Sequence, residues 1–149
     1  MNNSDIKILL VDDEPDILEI VGYNLKNEGY SVYTACNGIE AVKSAKKITP
    51  NLILLDIMMP EMDGIEACEK IRTVKSLENT LIAFLTARNE DYSYVAGFDA
   101  GADDYITKPI KPKVLISKVK SLLRRLKAES QEDSSVKIGD ITINRDEYL

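Results

Sequence analysis

The sequence predicts an α/β protein, a doubly wound parallel sheet of five strands with five helices. Two observations carry that prediction. Short aliphatic runs alternate with longer amphipathic stretches five times along the chain, and the aliphatic runs are nearly continuous. Strands of that kind are buried on both faces, which calls for helices above and below the sheet and right-handed crossovers between parallel strands. The length sets the scale: 149 residues fit one domain that buries most of its apolar surface without disulfides or a structural metal, with a little chain left over.

The first strand is IKILLV (6–11). A helix over 15–28 follows, with Pro15 in its first turn, where a missing N–H is no loss, and Gly29 at its end. SVYTA (31–35) is the second strand, and Asn37-Gly38 turns the chain into a helix over 38–47. LILLD (52–56) is the third strand, with Asp63-Gly64 marking the turn before a helix over 64–75. LIAFLT (81–86) is the fourth, followed by a helix over 90–100. The brief DYIT (104–107) is the fifth, ended by Lys108-Pro109. A last helix over 112–127 sets Leu115, Val119, Leu122 and Leu126 on one face, a stripe that core packing explains. Residues 128–135, AESQEDSS, are polar and aperiodic and read as a linker. In VKIGDITI, Val136 and Ile138, then Ile141 and Ile143, flank Gly139-Asp140 as a two-residue hairpin turn. A lone hairpin is marginal in water, so 136–149 is expected to open a second domain that the chain does not complete.

A net charge of −6 argues against nucleic-acid binding through this segment, since phosphate contacts need a basic surface. Metal ions and basic partners suit it better. No apolar run approaches the roughly 18 residues of a membrane span, and MNNSDIK lacks the regions of a signal peptide, so a cytoplasmic protein with no membrane contact is expected. Cys36 and Cys68 lack metal-ligand spacing and read as reduced, mostly buried thiols. Histidine is absent, which excludes His-based acid/base catalysis and most zinc chemistry. Carboxylates, hydroxyls and lysines remain as reactive groups.

In open parallel sheets ligands bind outside the carboxyl ends of the strands, where strand order reverses. Asp12 and Asp13 end the first strand, Asp56 the third and Thr86 the fourth, while Lys108 follows the fifth. With the flavodoxin-like order 2-1-3-4-5, strands one and three are neighbours and three carboxylates meet in one crevice. Three like charges within about 4–6 Å repel by a few kcal/mol per pair at an effective dielectric of about 20, so they need a counter-charge. All-oxygen ligands, few and not arranged in a calcium loop, suit Mg²⁺. Taken singly, the residues have ordinary explanations. Asp12 and Asp13 serve equally as a helix cap ahead of Pro15, Thr86 as a strand-end cap and Lys108 as a solvated amine. Asp56 resists that reading, because apolar residues precede and follow it. With such a site, Asp56 is the candidate nucleophile toward phosphorus, giving an acyl phosphate. Mg²⁺ and Lys108 would offset charge on the transferring oxygens. The Thr86 hydroxyl, drawn inward, would answer the added negative charge.

VDDEPDI, LILLDIMMPEMDGIE, FLTAR and GADDYITKPI resemble the receiver domain of two-component response regulators, over about residues 5–127. The resemblance implies a receiver domain in 1–127, a linker in 128–135 and, in 136–149, the start of a winged-helix DNA-binding domain of the OmpR/PhoB class. It implies a sensor histidine kinase as phosphoryl donor and Asp56 as phosphoacceptor. Asp12, Asp13, Asp56 and the Met58 carbonyl would hold Mg²⁺, and Thr86, Tyr105 and Lys108 would form the switch. The Lys108–Pro109 bond is usually cis in the family. DNA would be contacted only through the missing output domain. The class forms a homodimer when phosphorylated, and Asp99, Asp103 and Asp104 could pair with Lys118, Lys120 and Arg125 of a second copy. A solvated charged face is the other explanation for them. Tyr94 and Val114 stand where the class often pairs a basic with an acidic residue, and Ile110 replaces the usual Phe.

Two other classes compete. A Mg²⁺-dependent phosphohydrolase with an aspartyl-phosphate intermediate would turn over many substrates, but the first strand ends in Asp-Asp-Glu rather than the Asp-x-Asp of haloacid dehalogenases. A flavodoxin-like binding module would need a Gly- and hydroxyl-rich phosphate loop after strand one, which is missing. Within the leading reading, apolar Met58 offers no polar group to position attacking water, so slow dephosphorylation is expected.

Overall fold

The computed structural model describes residues 3–87 and 100–138. Its sheet contains β1 (Lys7–Val11), β2 (Ser31–Ala35), β3 (Leu52–Asp56), β4 (Leu81–Ala87) and β5 (Asp104–Lys108), in the order β2-β1-β3-β4-β5. All four neighbour pairs are parallel. The helices described are α1 (Pro15–Asn27), α2 (Gly38–Ile48), α3 (Gly64–Arg72) and α4 (Pro112–Ile138). The helix expected over 90–100 falls, except for Ala100, on residues outside those described.

The alternation of side chains along each strand sorts the core into two halves. On one face Leu9, Val11, Ile53, Leu55 and Phe84 pack against Ala41 and Ala45 of α2 and Ala67, Cys68 and Ile71 of α3. On the other, Ile8, Leu10, Leu52, Leu54 and Leu85 pack against Val21 and Leu25 of α1 and Leu115, Val119 and Leu122 of α4. The sheet is thus covered on both sides. Each fully buried aliphatic side chain contributes about 1.5–3 kcal/mol through removal from water.

Local chemistry sets the ends of the helices. Pro15 opens α1, and the chain leaves it through Gly29 at φ 96°, whose N–H donates to the Lys26 carbonyl. Asn37 and Asp63, read from the sequence as turn residues, are the N-caps of α2 and α3. Their side chains accept from the N–H groups of Glu40 and Glu66, each at 2.8 Å. The helix expected to reach residue 75 stops at Arg72, and a separate 3-10 turn covers Lys75–Leu77. Between them Val74 is extended, at φ −91° and ψ 118°, a backbone that β-branched residues favour.

Two expectations are corrected. The last helix, expected to end near residue 127, runs on through 128–135 to Ile138, so Val136 and Ile138 are helical rather than the first strand of a hairpin, whose remainder lies outside the described residues; 128–135 contains no glycine or proline, and Ala128, Glu129, Gln131 and Glu132 are good helix formers. Cys36 is exposed rather than buried, because it lies just beyond the end of edge strand β2, whereas Cys68 is fully buried.

Candidate functional site

β1 and β3 pair in a register that matches Val11 with Leu55. One residue further, Asp12 comes level with Asp56 at the carboxyl edge of the sheet. Both continue apolar strands, so both carboxylates are drawn below the surface: Asp12 is 0% exposed and Asp56 4%. Asp13 is on the exposed side of the edge. One carboxylate oxygen from each of Asp12, Asp13 and Asp56 lies within 4.8 Å of the others.

Lys108 ends β5, held level with Ala87 of β4, and reaches across the edge. Its Nζ stands 3.1 Å from Asp12 Oδ2, 3.5 Å from Asp56 Oδ1 and 3.6 Å from Glu14 Oε1. The peptide bond from Lys108 to Pro109 is cis. Glu14 is the N-cap residue of α1 and makes no side-chain cap bond. Asp12 Oδ1 accepts from the Glu14 N–H at 2.9 Å. Two residues after Asp56, the Met58 N–H donates to Asp56 Oδ1 at 3.3 Å, while the Met58 side chain is 59% exposed.

The electrostatics follow from this crowding. Burial and the neighbouring Asp12 carboxylate push Asp56 up to about 7, against the pull of Lys108. Burial alone would lower the Lys108 ammonium, but Asp56, Asp12 and Glu14 outweigh it and the net direction is up. Asp12 Oδ2 is buried without a well-angled hydrogen bond; its contact with Lys108 is an ion pair. Three carboxylates against one ammonium leave an excess of negative charge on an all-oxygen donor set. That fits a hard divalent cation such as Mg²⁺.

Thr86 is 2% exposed and Tyr105 9%, and the Tyr105 ring lies 5.7 Å from that of Phe84. The inward movement expected of Thr86 therefore has no solvent-exposed starting point here, because β4 is flanked by β3 and β5 and keeps Thr86 level with Thr107. Of the six residues expected on a dimer face, Asp99 lies outside the described residues. Asp103 Oδ2 is bound within the chain by Arg72 Nη2 and the Ile82 N–H, both at 2.9 Å. Asp104 pairs with Lys118 at 3.2 Å, and Lys120 with Glu28 at the end of α1, also at 3.2 Å. Arg125 is exposed.

Sequence reading missed Arg72, which also donates to the carbonyls of Gly101 at 2.9 Å and Thr80 at 2.7 Å. A lone arginine at a helix end carries no signal of those distant partners. Among the described residues no helix is long and apolar enough to cross a membrane.

Residues 8–120 match the model of the response regulator receiver domain family. The chain is 43% identical to the alkaline phosphatase synthesis transcriptional regulatory protein PhoP of Bacillus subtilis (strain 168). That alignment takes in 95% of this chain and 62% of the relative's length. A two-component response regulator from Clostridium difficile superposes with a TM-score of 0.75 at 34% identity, over 81% of this chain and 98% of that one. Chemotaxis protein CheY4 of Vibrio cholerae does so with a TM-score of 0.75 at 32% identity, over 78% and 98%. With its strand order, its acidic edge and these relatives, the chain belongs to the response regulator receiver domain family.

Proposed function

We propose that this receiver domain is the phosphorylation-operated switch of a cytoplasmic transcriptional regulator of the OmpR/PhoB class, with Asp56 as the phosphoacceptor. The observation that carries the reading is the convergence of Asp12, Asp13 and Asp56 oxygens within 4.8 Å beside Lys108. An oxygen of ionised Asp56 attacks the phosphorus of a phosphohistidine on a sensor histidine kinase. The new P–O bond forms as the P–N bond breaks, and the bonding pair leaves on the imidazole nitrogen, which takes up a proton. Asp12, Asp13, Asp56 and the Met58 carbonyl would hold Mg²⁺, which when bound offsets charge on the transferring oxygens.

Lys108, already paired with Asp56, follows the new phosphoryl oxygens, and Thr86 supplies a hydroxyl to them. Tyr105, packed on Phe84 in the neighbouring strand, passes the change to β5 and α4. A homodimer formed through that face controls a winged-helix domain that contacts DNA, consistent with the transcriptional relative of which this chain spans 62%. The test is the mass of the intact chain after incubation with Mg²⁺ and a small acyl phosphate. The expected result is the gain of one phosphoryl group, labile to hydroxylamine and abolished by Asp56→Ala. Undiminished labelling of that variant would remove Asp56 from the role.

A further inference from the structure

We propose that Gly38 and Gly64 are positioning residues, which grip the loop between β3 and α3 at its two ends and so fix where the Asp56 and Met58 backbone stands. This rests on the reading of Asp56 as phosphoacceptor and Met58 as a metal ligand. Gly64 is the first residue of α3, and its N–H donates to the Ile57 carbonyl at 2.9 Å. A Cβ on Gly64 would run into the Asp56 carbonyl oxygen and stand 2.9 Å from Ile57 Cα. Those are backbone atoms, unable to swing aside as a side chain could. Gly38, the first residue of α2, stands in the same relation to the far end of the loop. A Cβ there would run into the Met62 carbonyl oxygen and come within 2.9 Å of Met62 Cβ and Cγ.

Neither glycine is needed for its backbone angles. Among the described residues the positive-φ glycines are Gly29 and Gly101, and the start of a helix accepts most residues. What both positions require is the missing side chain, because the helix starts meet loop backbone at Gly64 and, at Gly38, both the backbone and the side chain of Met62. Ile57 and Met59 anchor the same loop in the core at 2% and 9% exposure, leaving Met58 between them facing outward. The loop is thus seated at both ends and in its middle, and Met58 has little freedom to drift. Gly22 of α1 is the contrast: a Cβ there would meet nothing nearer than Leu10 Cδ2 at 4.0 Å.

The experiment compares the intact chain with Gly38→Ala, Gly64→Ala, Met62→Ala and Gly22→Ala. It measures Mg²⁺ affinity by calorimetry on the unphosphorylated protein and the rate of labelling by acetyl phosphate at saturating Mg²⁺. Thermal melting identifies the folded variants. Displacing a ligand or nucleophile by a fraction of an ångström predicts Mg²⁺ binding weakened about fivefold or more and labelling slowed about tenfold or more in Gly38→Ala and Gly64→Ala. Gly22→Ala should match the parent in both. A merely structural role would lower the melting temperature and leave affinity and rate in the folded protein unchanged, and that result overturns the proposal. Should both alanine variants fail to fold, Met62→Ala decides, since it loosens the grip on Gly38 without any overlap. The proposal requires at least about a threefold loss of Mg²⁺ affinity there, and parental affinity refutes it. If the parent chain itself neither binds Mg²⁺ nor takes label, the assignment of Asp56 has failed instead.

Discussion

Asp56 is held where a carboxylate is least comfortable, 4% exposed and beside a second buried acid, so it keeps its proton up to about 7. In the unfolded chain it would lose that proton near pH 4. Between those values the folded state binds more protons than the unfolded one, and stability falls as pH rises through the window. Asp56→Asn should therefore stabilise the metal-free chain by about 1–3 kcal/mol at pH 8, with the gain gone at pH 4. Urea melts at the two pH values check it, and an equal gain at both would contradict the assignment. Mg²⁺ should act in the same sense on the unsubstituted protein, because a bound cation removes the repulsion that burial amplifies. Met58 carries a separate prediction. Its side chain is 59% exposed but cannot orient a water, so the phosphorylated chain should be long-lived. Met58→Asn should shorten the half-life several-fold in a time course of label loss. The acids themselves were readable in the sequence, since a charge closing an aliphatic run has few other uses. The role of Glu14 was less so: only the fold shows that it reaches Lys108 at 3.6 Å and stays outside the group of three carboxylates.

Strands and helices transmit what those residues begin. Arg72 at the end of α3 binds the carbonyls of Thr80 and Gly101 and the Asp103 carboxylate, tying α3 to the starts of β4 and β5. Its side chain is 20% exposed and that of Asp103 24%, so part of the ion-pair energy is screened by water. Loss of the whole set in Arg72→Ala should cost about 2–4 kcal/mol in a denaturant melt, more than the ion pair alone supplies. Asp103→Asn, which keeps an acceptor for the Ile82 N–H, should cost less; equal losses would show that the backbone contacts contribute nothing. Strand positions were legible because five aliphatic runs have no other explanation in a chain of this size. The contacts of Arg72 were not, because carbonyls carry no side-chain signature. The glycine contacts were hidden for a related reason: Asn-Gly and Asp-Gly pairs suggest turns, and only the fold shows the glycines beginning helices packed on a neighbouring backbone.

For the whole molecule, the alternation of elements predicted the fold class, while only the fold shows Leu9 and Ile53 on one face of the core and Leu10 and Leu54 on the other. The C-terminal reach of α4 escaped, because a polar, aperiodic stretch can be helical when nothing in it breaks a helix. On the proposed dimer face, Asp104 and Lys118 already pair within one chain, so association must exchange that partner or leave it in place. Sizing with Mg²⁺ and beryllofluoride should move the chain from monomer to dimer, with Asp56→Ala remaining monomeric; no change in size would detach dimerisation from the site. The central claim is that acids of two adjoining strands share one divalent cation. Calorimetric titration of Mg²⁺ into the parent chain and into Asp12→Asn tests it most directly. One saturable site in the parent, lost or severely weakened in the variant, is the predicted result. Binding that is the same in both, or absent from both, would contradict it.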